Sequence, residues 1–352
     1  MEKRNIIVMG ASAGGFTAFK KIIAGLPSDL DAAIFIVWHM APSIRGMLPQ
    51  VLGHLTTMPV AHAQDREPIQ TNRIYIAPPD HHMLLEPGYV RVTRGPKENR
   101  FRPAVDPLFR SAAYSYGSRV IGVILSGALD DGTAGLWTVK HYGGLAIVQD
   151  PREAEVPSMP LSAIRQVGVD HVVSLAEIPP LLIRLTDRPA PEKSPVATEE
   201  NEKINAEIRI AAEDNALEIN IMQYGQLSPY TCPECHGVLT LLKEGPLARF
   251  RCHTGHAYSA DTLLAAITEK IEDSLYSAIR GVDESIVLLN HLGDHFAEAN
   301  QPKLAALYFQ KAQQAGERST LVRQAVLLHE QLSQGSLEQQ ATDSDGESDR
   351  QA

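Results

Sequence analysis

An α/β fold built on a doubly wound, mostly parallel sheet is what residues 1–185 predict, on three observations. Short apolar, β-branched runs alternate with amphipathic segments, the pattern of strands joined by crossover helices. Several of those runs are apolar throughout, as strands covered on both faces are. One turn signal, Glu86-Pro87-Gly88, separates two short alternating runs and predicts an antiparallel hairpin.

Taken in order, residues 5–9, 33–38, 73–77, 119–125, 145–149 and 171–174 read as strands, and 83–85 with 89–93 as the hairpin. Amphipathic spacing predicts helices at 16–24, 44–55, 107–116 and 134–141. After Leu185 the stretch TDRPAPEKSPVATEENEK, residues 186–203, carries three prolines and many charges and reads as a solvated linker. Residues 204–229 open with helical spacing (Ile204, Ile208, Ile210, Ala211, Leu217, Ile221), and 230–259 form a compact piece with all three cysteines. Amphipathic helices at 260–292 and 302–334 predict a helical hairpin over 260–334. The acidic tail, 335–352, has almost no apolar residues and is expected to be disordered.

Composition narrows the function classes. The chain has 352 residues, 44% hydrophobic and 21% charged, which excludes wholesale disorder. A net charge of −10 argues against non-specific binding to nucleic acid or anionic membranes. No apolar run is long enough to insert across a bilayer, and the start lacks a signal-peptide pattern. Three cysteines, an odd number, do not make a disulfide framework, so a reducing cytoplasm is expected.

The most informative segment is IIVMGASAGGF, where a strand meets a glycine-rich turn and then a helix. Gly10-Ala11-Ser12-Ala13-Gly14 fits the G-x-S-x-G elbow, whose small neighbours let a serine hydroxyl stand above a sheet edge at a helix N-terminus. A dinucleotide-binding turn is the rival reading, but G-x-G-x-x-G is absent and the second strand ends in His39 where such a site wants an acid. A third strand runs into Gly127-Ala128-Leu129-Asp130-Asp131-Gly132. Neighbouring strand ends of a doubly wound sheet share one crevice, so a hydroxyl, an imidazole and a carboxylate are expected at one rim. Helix capping is the structural alternative for the aspartate pair. The chain order Ser, His, Asp differs from that of the α/β-hydrolases.

On six motifs in order, residues 4–185 resemble the catalytic domain of the chemotaxis protein-glutamate methylesterases. These are GASAGG at 10–15, WHM at 38–40, YIAPPDHHM at 75–83, RPAVDPLFRSAA at 102–113, LSGALDDGTAG at 125–135 and Met159-Pro160. The resemblance implies a serine esterase with Ser12 as nucleophile, His39 as base and Asp131, the aspartate before glycine, as its orienting acid. It implies backbone oxyanion donors near Ala13 and Ala128, and no cofactor for catalysis. The implied substrates are glutamate methyl esters on methylated chemoreceptor helices, with glutamine deamidation as a second activity. Family members usually carry threonine where Ala13 stands and glycine–methionine–glycine where Gly127-Ala128-Leu129 stands. The best-known members begin with a receiver domain; here the catalytic strand starts near residue 5, so phosphorylation control within this chain is not expected. A non-catalytic chemosensory adaptor on the same fold is the alternative.

The cysteine piece reads Cys232-x-x-Cys235, then Cys252 and His256. Three thiolates and an imidazole at that spacing suit a closed, structural tetrahedral zinc site in a zinc-ribbon-like module, with His236 and His253 as rival fourth ligands. A metal-free hairpin or a redox C-x-x-C pair are the other readings. The basic residues Lys243, Arg249 and Arg251 are too few to argue for nucleic acid, and docking of other chemosensory proteins on the C-terminal helices is expected instead. Asp80-His81-His82 reads as a turn without metal, while Arg102 and Arg110 fit either a partner contact or internal ion pairs.

Overall fold

The computed structural model describes residues 2–39, 47–192, 196–213, 216–330, 332–333 and 337. Met40, residues 44–46 of the expected second helix and nearly all of the acidic tail lie outside the described residues. The chain divides into two compact units, Met1–Leu263 and Leu264–Ala352.

In chain order the first unit begins β1 (Ile6–Ala11), α1 (Gly15–Ala24), β2 (Ala33–Trp38), α2 (Leu48–Gly53), β3 (Val60–His62) and β4 (Arg73–Ile76). The hairpin β5 (His82–Glu86) and β6 (Tyr89–Thr93) follows, then α3 (Val105–Tyr116), β7 (Val120–Ile124), α4 (Thr133–His141), β8 (Leu145–Gln149), α5 (Ser158–Gln166), β9 (His171–Val173) and α6 (Ile178–Thr186). Seven strands form one sheet in the order β3-β4-β2-β1-β7-β8-β9, every pair parallel. The chain winds outward from β1 in both directions, so the crevice of this open sheet lies at the carboxyl ends of β1 and its neighbours.

Side-chain alternation along β1 explains why its sequence is apolar on both faces. Ile7 and Met9 pack beneath Phe19 and Ile22 of α1 and Leu182 of α6. Ile6 and Val8 face the opposite layer, where Leu108 and Phe109 of α3, Leu136 of α4 and Met159 of α5 meet the sheet. Each such aliphatic side chain contributes roughly 1.5–3 kcal/mol on burial.

Several short elements escaped the periodicity. The edge strand β3 is three half-buried residues, and α5 and α6 carry prolines that break an apolar pattern read by spacing alone. α7 (Thr198–Ala211) starts inside the stretch read as linker and ends before Leu217, which is 61% exposed. Residues 221–224 form only a 3₁₀ turn.

Beyond them a four-stranded antiparallel sheet is built from β10 (Gln226–Thr231), β11 (Val238–Glu244), β12 (Leu247–Cys252) and β13 (Ala257–Ser259). A buried charge network ties it to the parallel-sheet layer. Arg249 and Arg251 of β12 each bond both Glu98 and Glu207, at 2.6–3.0 Å. Arg110 of α3 reaches Glu98, and Glu244 takes a further bond from Arg249. The basic residues of the cysteine piece, apart from Lys243, are therefore interior ion-pair partners.

In the second unit α8 (Ala260–Glu298, which begins in the first) and α9 (Pro302–Leu327) run antiparallel. His329 bonds the Thr268 carbonyl, Arg323 pairs with Asp283, and Phe296 stacks on Tyr308.

Burial pushes the Glu207 carboxyl up, but the fields of Arg251, Arg249 and Arg110 overcome it and hold the group down at about 2. Removing that charge strands buried guanidinium, so Glu207→Gln is expected to cost about 3–5 kcal/mol in urea denaturation at pH 7. Because the folded value is depressed, the difference persists above about pH 4.3 and shrinks as pH falls toward about 2. A midpoint unchanged at pH 7 would contradict this account.

Candidate active site

Ser12 and His39 leave neighbouring strands at the same level. Ala11 pairs with Trp38 in the β1–β2 register, and the His39 N–H donates to the Ala11 carbonyl at 3.1 Å. The two residues thus start from backbones about 4.8 Å apart, the spacing of paired strands. The serine turn is braced on all sides. The Ser12 N–H donates to the Ser126 carbonyl at 3.0 Å, and the Ser12 carbonyl accepts from Trp38 Nε1 and the Gly15 N–H. Ser126 Oγ donates to the Ala13 carbonyl, joining the turn after β1 to the turn after β7.

Two glycines are required here. Gly14 has φ 76°, a left-handed conformation that L side chains rarely adopt. A Cβ on Gly127 would collide with Met159 Sδ and stand 2.9 Å from Ser12 Cβ, so the two turns approach as closely as they do because Gly127 has none. Met159, part of a motif singled out above, donates its N–H to the Gly127 carbonyl.

His39 Nε2 lies 2.7 Å from Asp131 Oδ2, both side chains buried. Its ring stacks on Phe101 with centroids 3.9 Å apart and planes at 10°. Nδ1 has no hydrogen-bond partner among the described residues. With Nε2–H donated to a carboxylate, the neutral ring carries its lone pair on Nδ1, the atom free to take a proton.

Asp131 accepts four hydrogen bonds. Oδ2 takes those of His39 and the Val105 N–H (2.7 Å); Oδ1 takes those of Asn99 Nδ2 (2.8 Å) and the Asp106 N–H (3.3 Å). Val105 and Asp106 open α3, so the carboxylate caps that helix and sits at the positive end of its dipole. Burial pushes the group up, yet His39, the Val105 N–H and Asn99 hold it below the usual carboxylate value.

The capping alternative for the aspartate pair is realised differently from the sequence expectation. Asp131 caps α3, while α4 is capped by Asp106, whose Oδ1 accepts the Gly135 N–H at 2.7 Å. Asp130 makes no contact with His39 and instead accepts the Ser259 hydroxyl at 2.6 Å.

Ala13 and Ala128 are exposed, and neither backbone N–H is engaged by a described residue. Leu129, beside Ala128, holds φ 61°, strained for a residue with a branched side chain. Spacing and motif left Asn99 and Phe101 unnoticed. Both lie in the loop at or just before the RPAVDPLFRSAA motif, and sequence offered no signal for them beyond the turn-favouring asparagine. Arg102 and Asp80 pair with each other, and Arg110 with Glu98, which decides for internal ion pairs. His82 is buried, bonding the Pro96 carbonyl and the Ala104 N–H at the two ends of the Asn99 loop.

The cysteine cluster is a separate site. One donor atom each from Cys232, Cys235, Cys252 and His256 lie within 4.8 Å of one another. Cys235 and Cys252 sulfurs are 3.6 Å apart, and His256 Nδ1 is 3.7 Å from both Cys232 and Cys252. A tetrahedron with metal–sulfur bonds of about 2.3 Å has edges of about 3.7 Å, so the donor set fits a zinc-sized ion. The Thr254 hydroxyl lies 3.0 Å from Cys252 and 3.1 Å from Cys235, as an outer hydrogen-bond partner would.

Burial raises the Asp130 carboxyl to about 7 against the lowering effect of Ser259. Raised in the folded state, it stays protonated where the unfolded chain has ionised, so its contribution to stability declines as pH rises from about 3.9 to about 7. Asp130→Asn keeps an acceptor for Ser259 and cannot ionise. Its urea midpoint is expected to gain on the wild type between pH 4.5 and 8, by on the order of 3 kcal/mol; a pH-independent difference would refute the assignment.

The CheB methylesterase family model matches residues 7–182. A Leptospira interrogans protein, provisionally named protein-glutamate methylesterase/protein-glutamine glutaminase, is 42% identical over 180 residues, covering 51% of this chain and 93% of that protein. An Anaeromyxobacter dehalogenans protein-glutamate methylesterase/protein-glutamine glutaminase is 38% identical over 181 residues, and the chain spans 53% of its length. The crystal structure of the Thermotoga maritima CheB methylesterase catalytic domain aligns with TM-score 0.51 and 36% identity, covering 53% of this chain and 99% of that one. The dinucleotide-binding reading of the glycine turn falls with these matches, and the chain belongs to the CheB methylesterase family.

Proposed function

We propose that this chain is a protein-glutamate methylesterase that hydrolyses glutamate methyl esters on chemoreceptor helices and releases methanol, with glutamine deamidation as a second activity. The observation that carries the reading is the 2.7 Å contact between His39 and Asp131 beside the turn that bears Ser12. Ser12 Oγ attacks the ester carbonyl as His39 Nδ1 takes its proton, and Asp131 stabilises the imidazolium through Nε2. The unengaged N–H groups of Ala13 and Ala128 receive the developing oxyanion, where one donor is typically worth about 10²–10³ in turnover. The proton on Nδ1 then goes to the departing methoxide. Water, deprotonated by the same nitrogen, hydrolyses the acyl-serine and regenerates the enzyme. A glutamine substrate follows the same course with ammonia leaving. Family membership does not favour the non-catalytic adaptor.

We read 1–185 as the catalytic part, 230–259 as a zinc-ribbon-like module holding a structural zinc on Cys232, Cys235, Cys252 and His256, and 260–334 as a helical hairpin. The zinc would close the module by cross-linking the β10–β11 turn to the end of β12 and the turn that follows it, with no open position for chemistry. A cytoplasmic location goes with three free cysteines, and no helix among the described residues is long and apolar enough to cross a membrane. Docking of other chemosensory proteins on the C-terminal helices is supported by exposed Val287, Leu288, Leu307 and Leu321.

Methanol release from methylated chemoreceptor tests the esterase reading. Ser12→Ala is expected to lose at least about 10³-fold in kcat, and Asp131→Asn about 10⁴-fold. Equal rates for Ser12→Ala and wild type would end the proposal. For the metal, one equivalent of zinc is expected to survive dialysis of the reduced chain and to be lost in Cys235→Ser. Substoichiometric zinc in the wild type would count against the module.

A further inference from the structure

The loop 97–102 touches both the candidate catalytic residues and the cysteine-bearing segment. Phe101 covers the His39 ring, and Glu98 is buried against Arg249 and Arg251 of β12. Its backbone pairs with the residue that follows His256: the Ala257 N–H donates to the Lys97 carbonyl at 3.2 Å, and the Asn99 N–H to the Ala257 carbonyl at 2.8 Å. Asn99 itself holds φ 49°, a conformation asparagine tolerates better than most residues.

All four hydrogen-bonding positions of the Asn99 amide are used. Nδ2 donates to Asp131 Oδ1 and Asp106 Oδ2, each at 2.8 Å. Oδ1 accepts the Ser259 N–H at 3.0 Å and the Thr262 hydroxyl at 3.2 Å. The Ser259 N–H can only donate, so the amide oxygen must face it and the NH₂ must face the carboxylates. Turned over, the amide would press its oxygen between two acids and set its NH₂ against the Ser259 N–H. Ser259 and Thr262 are themselves locked together at the start of α8: the Thr262 N–H donates to Ser259 Oγ, and the Ser259 N–H is shared between Thr262 Oγ1 and Asn99 Oδ1, a reciprocal cap. The family match ends at residue 182, so this clamp belongs to the part of the chain beyond it.

We infer that Asn99 is a positioning residue for the Asp131–His39 pair and that Ser259 and Thr262, outside the family-matched half, hold it in register, so that the cysteine-bearing segment completes the esterase site. With Oδ1 of Asp131 taken by Asn99, Oδ2 is left aimed at His39. The same NH₂ group bridges Asp106 and Asp131, two buried acids that otherwise repel. This inference rests on the methylesterase reading, and its test separates the two.

In the full zinc-loaded chain, methanol release from methylated chemoreceptor is measured for Asn99→Asp, Thr262→Val and Thr262→Ser beside Ser12→Ala. Asn99→Asp keeps the shape and the tolerance of positive φ but replaces the donor with a charge. It is expected to lower kcat at least about 10-fold with KM within about twofold, and to move the acid limb of the pH profile upward, because the added charge favours the imidazolium. Thr262→Val is expected to lower kcat several-fold and Thr262→Ser to restore it. The low-field proton resonance of the His39–Asp131 bond, followed in the same variants, is expected to shift or broaden in Asn99→Asp and Thr262→Val without any substrate. If Asn99→Asp does not fold, the Thr262 pair decides. Unchanged kcat, acid limb and His39 resonance in the folded variants would overturn the inference while an inactive Ser12→Ala left the esterase standing. An active Ser12→Ala would bring down the reading beneath it.

Discussion

A buried carboxylate has to find hydrogen-bond donors before it can be used for anything else, and Asp131 organises its surroundings around that need. Its donors come from three places: the first turn of α3, the amide of Asn99 and the ring of His39. Supplying them fixes the N-terminus of α3 against the turn after β7 and holds the imidazole of His39 on the carboxylate. Asp106 repeats the arrangement in the other direction, leaving α3 to cap α4. The helices that cover one face of the sheet are thus locked to each other through the same acids that border the crevice. Capping and orientation are one set of bonds, so the two readings of the aspartate pair do not compete.

The charge network of Arg110, Arg249, Arg251, Glu98, Glu207 and Glu244 solves a different problem. Besides its buried apolar residues, such as Leu239, Leu242 and Phe250, the antiparallel sheet meets the α/β layer through charge. Three arginines and three glutamates, buried and mutually paired, join the layers with little net charge to desolvate. Ion pairs of this kind specify an arrangement more than they add stability, since each partner is costly to strand. Here they hold the loop that carries Asn99 and Phe101, so precision at the crevice depends on strands distant in sequence.

The core of the sheet was legible because its strands are covered on both faces, which writes long apolar runs into residues 33–38 and 145–149 that no helix period explains. The six motifs led to Ser12, His39 and Asp131 because the local requirements of a strand-to-helix turn leave small residues at fixed spacing. What stayed hidden had no local signature. β3 is too short and too half-buried to show alternation, and α6 begins on Ile178 with two prolines in its first turn, which interrupt the apolar period. The interior role of Arg249 and Arg251 was hidden because sequence carries no sign of the glutamates that meet them.

By itself, then, the sequence determined the α/β class, the strand ends at which chemistry-bearing residues stand, and the Cys–Cys–Cys–His spacing. Each of these follows from covalent neighbours: period, turn geometry and ligand separation are properties of a short stretch of chain. Only the tertiary structure decided that Asp131 caps the first turn of α3, which ring nitrogen of His39 is left without a partner, and that Asn99 is oriented from Ser259. Those outcomes depend on contacts between segments up to 160 residues apart, where the competition among donors and acceptors is settled by packing and leaves no trace in either segment alone.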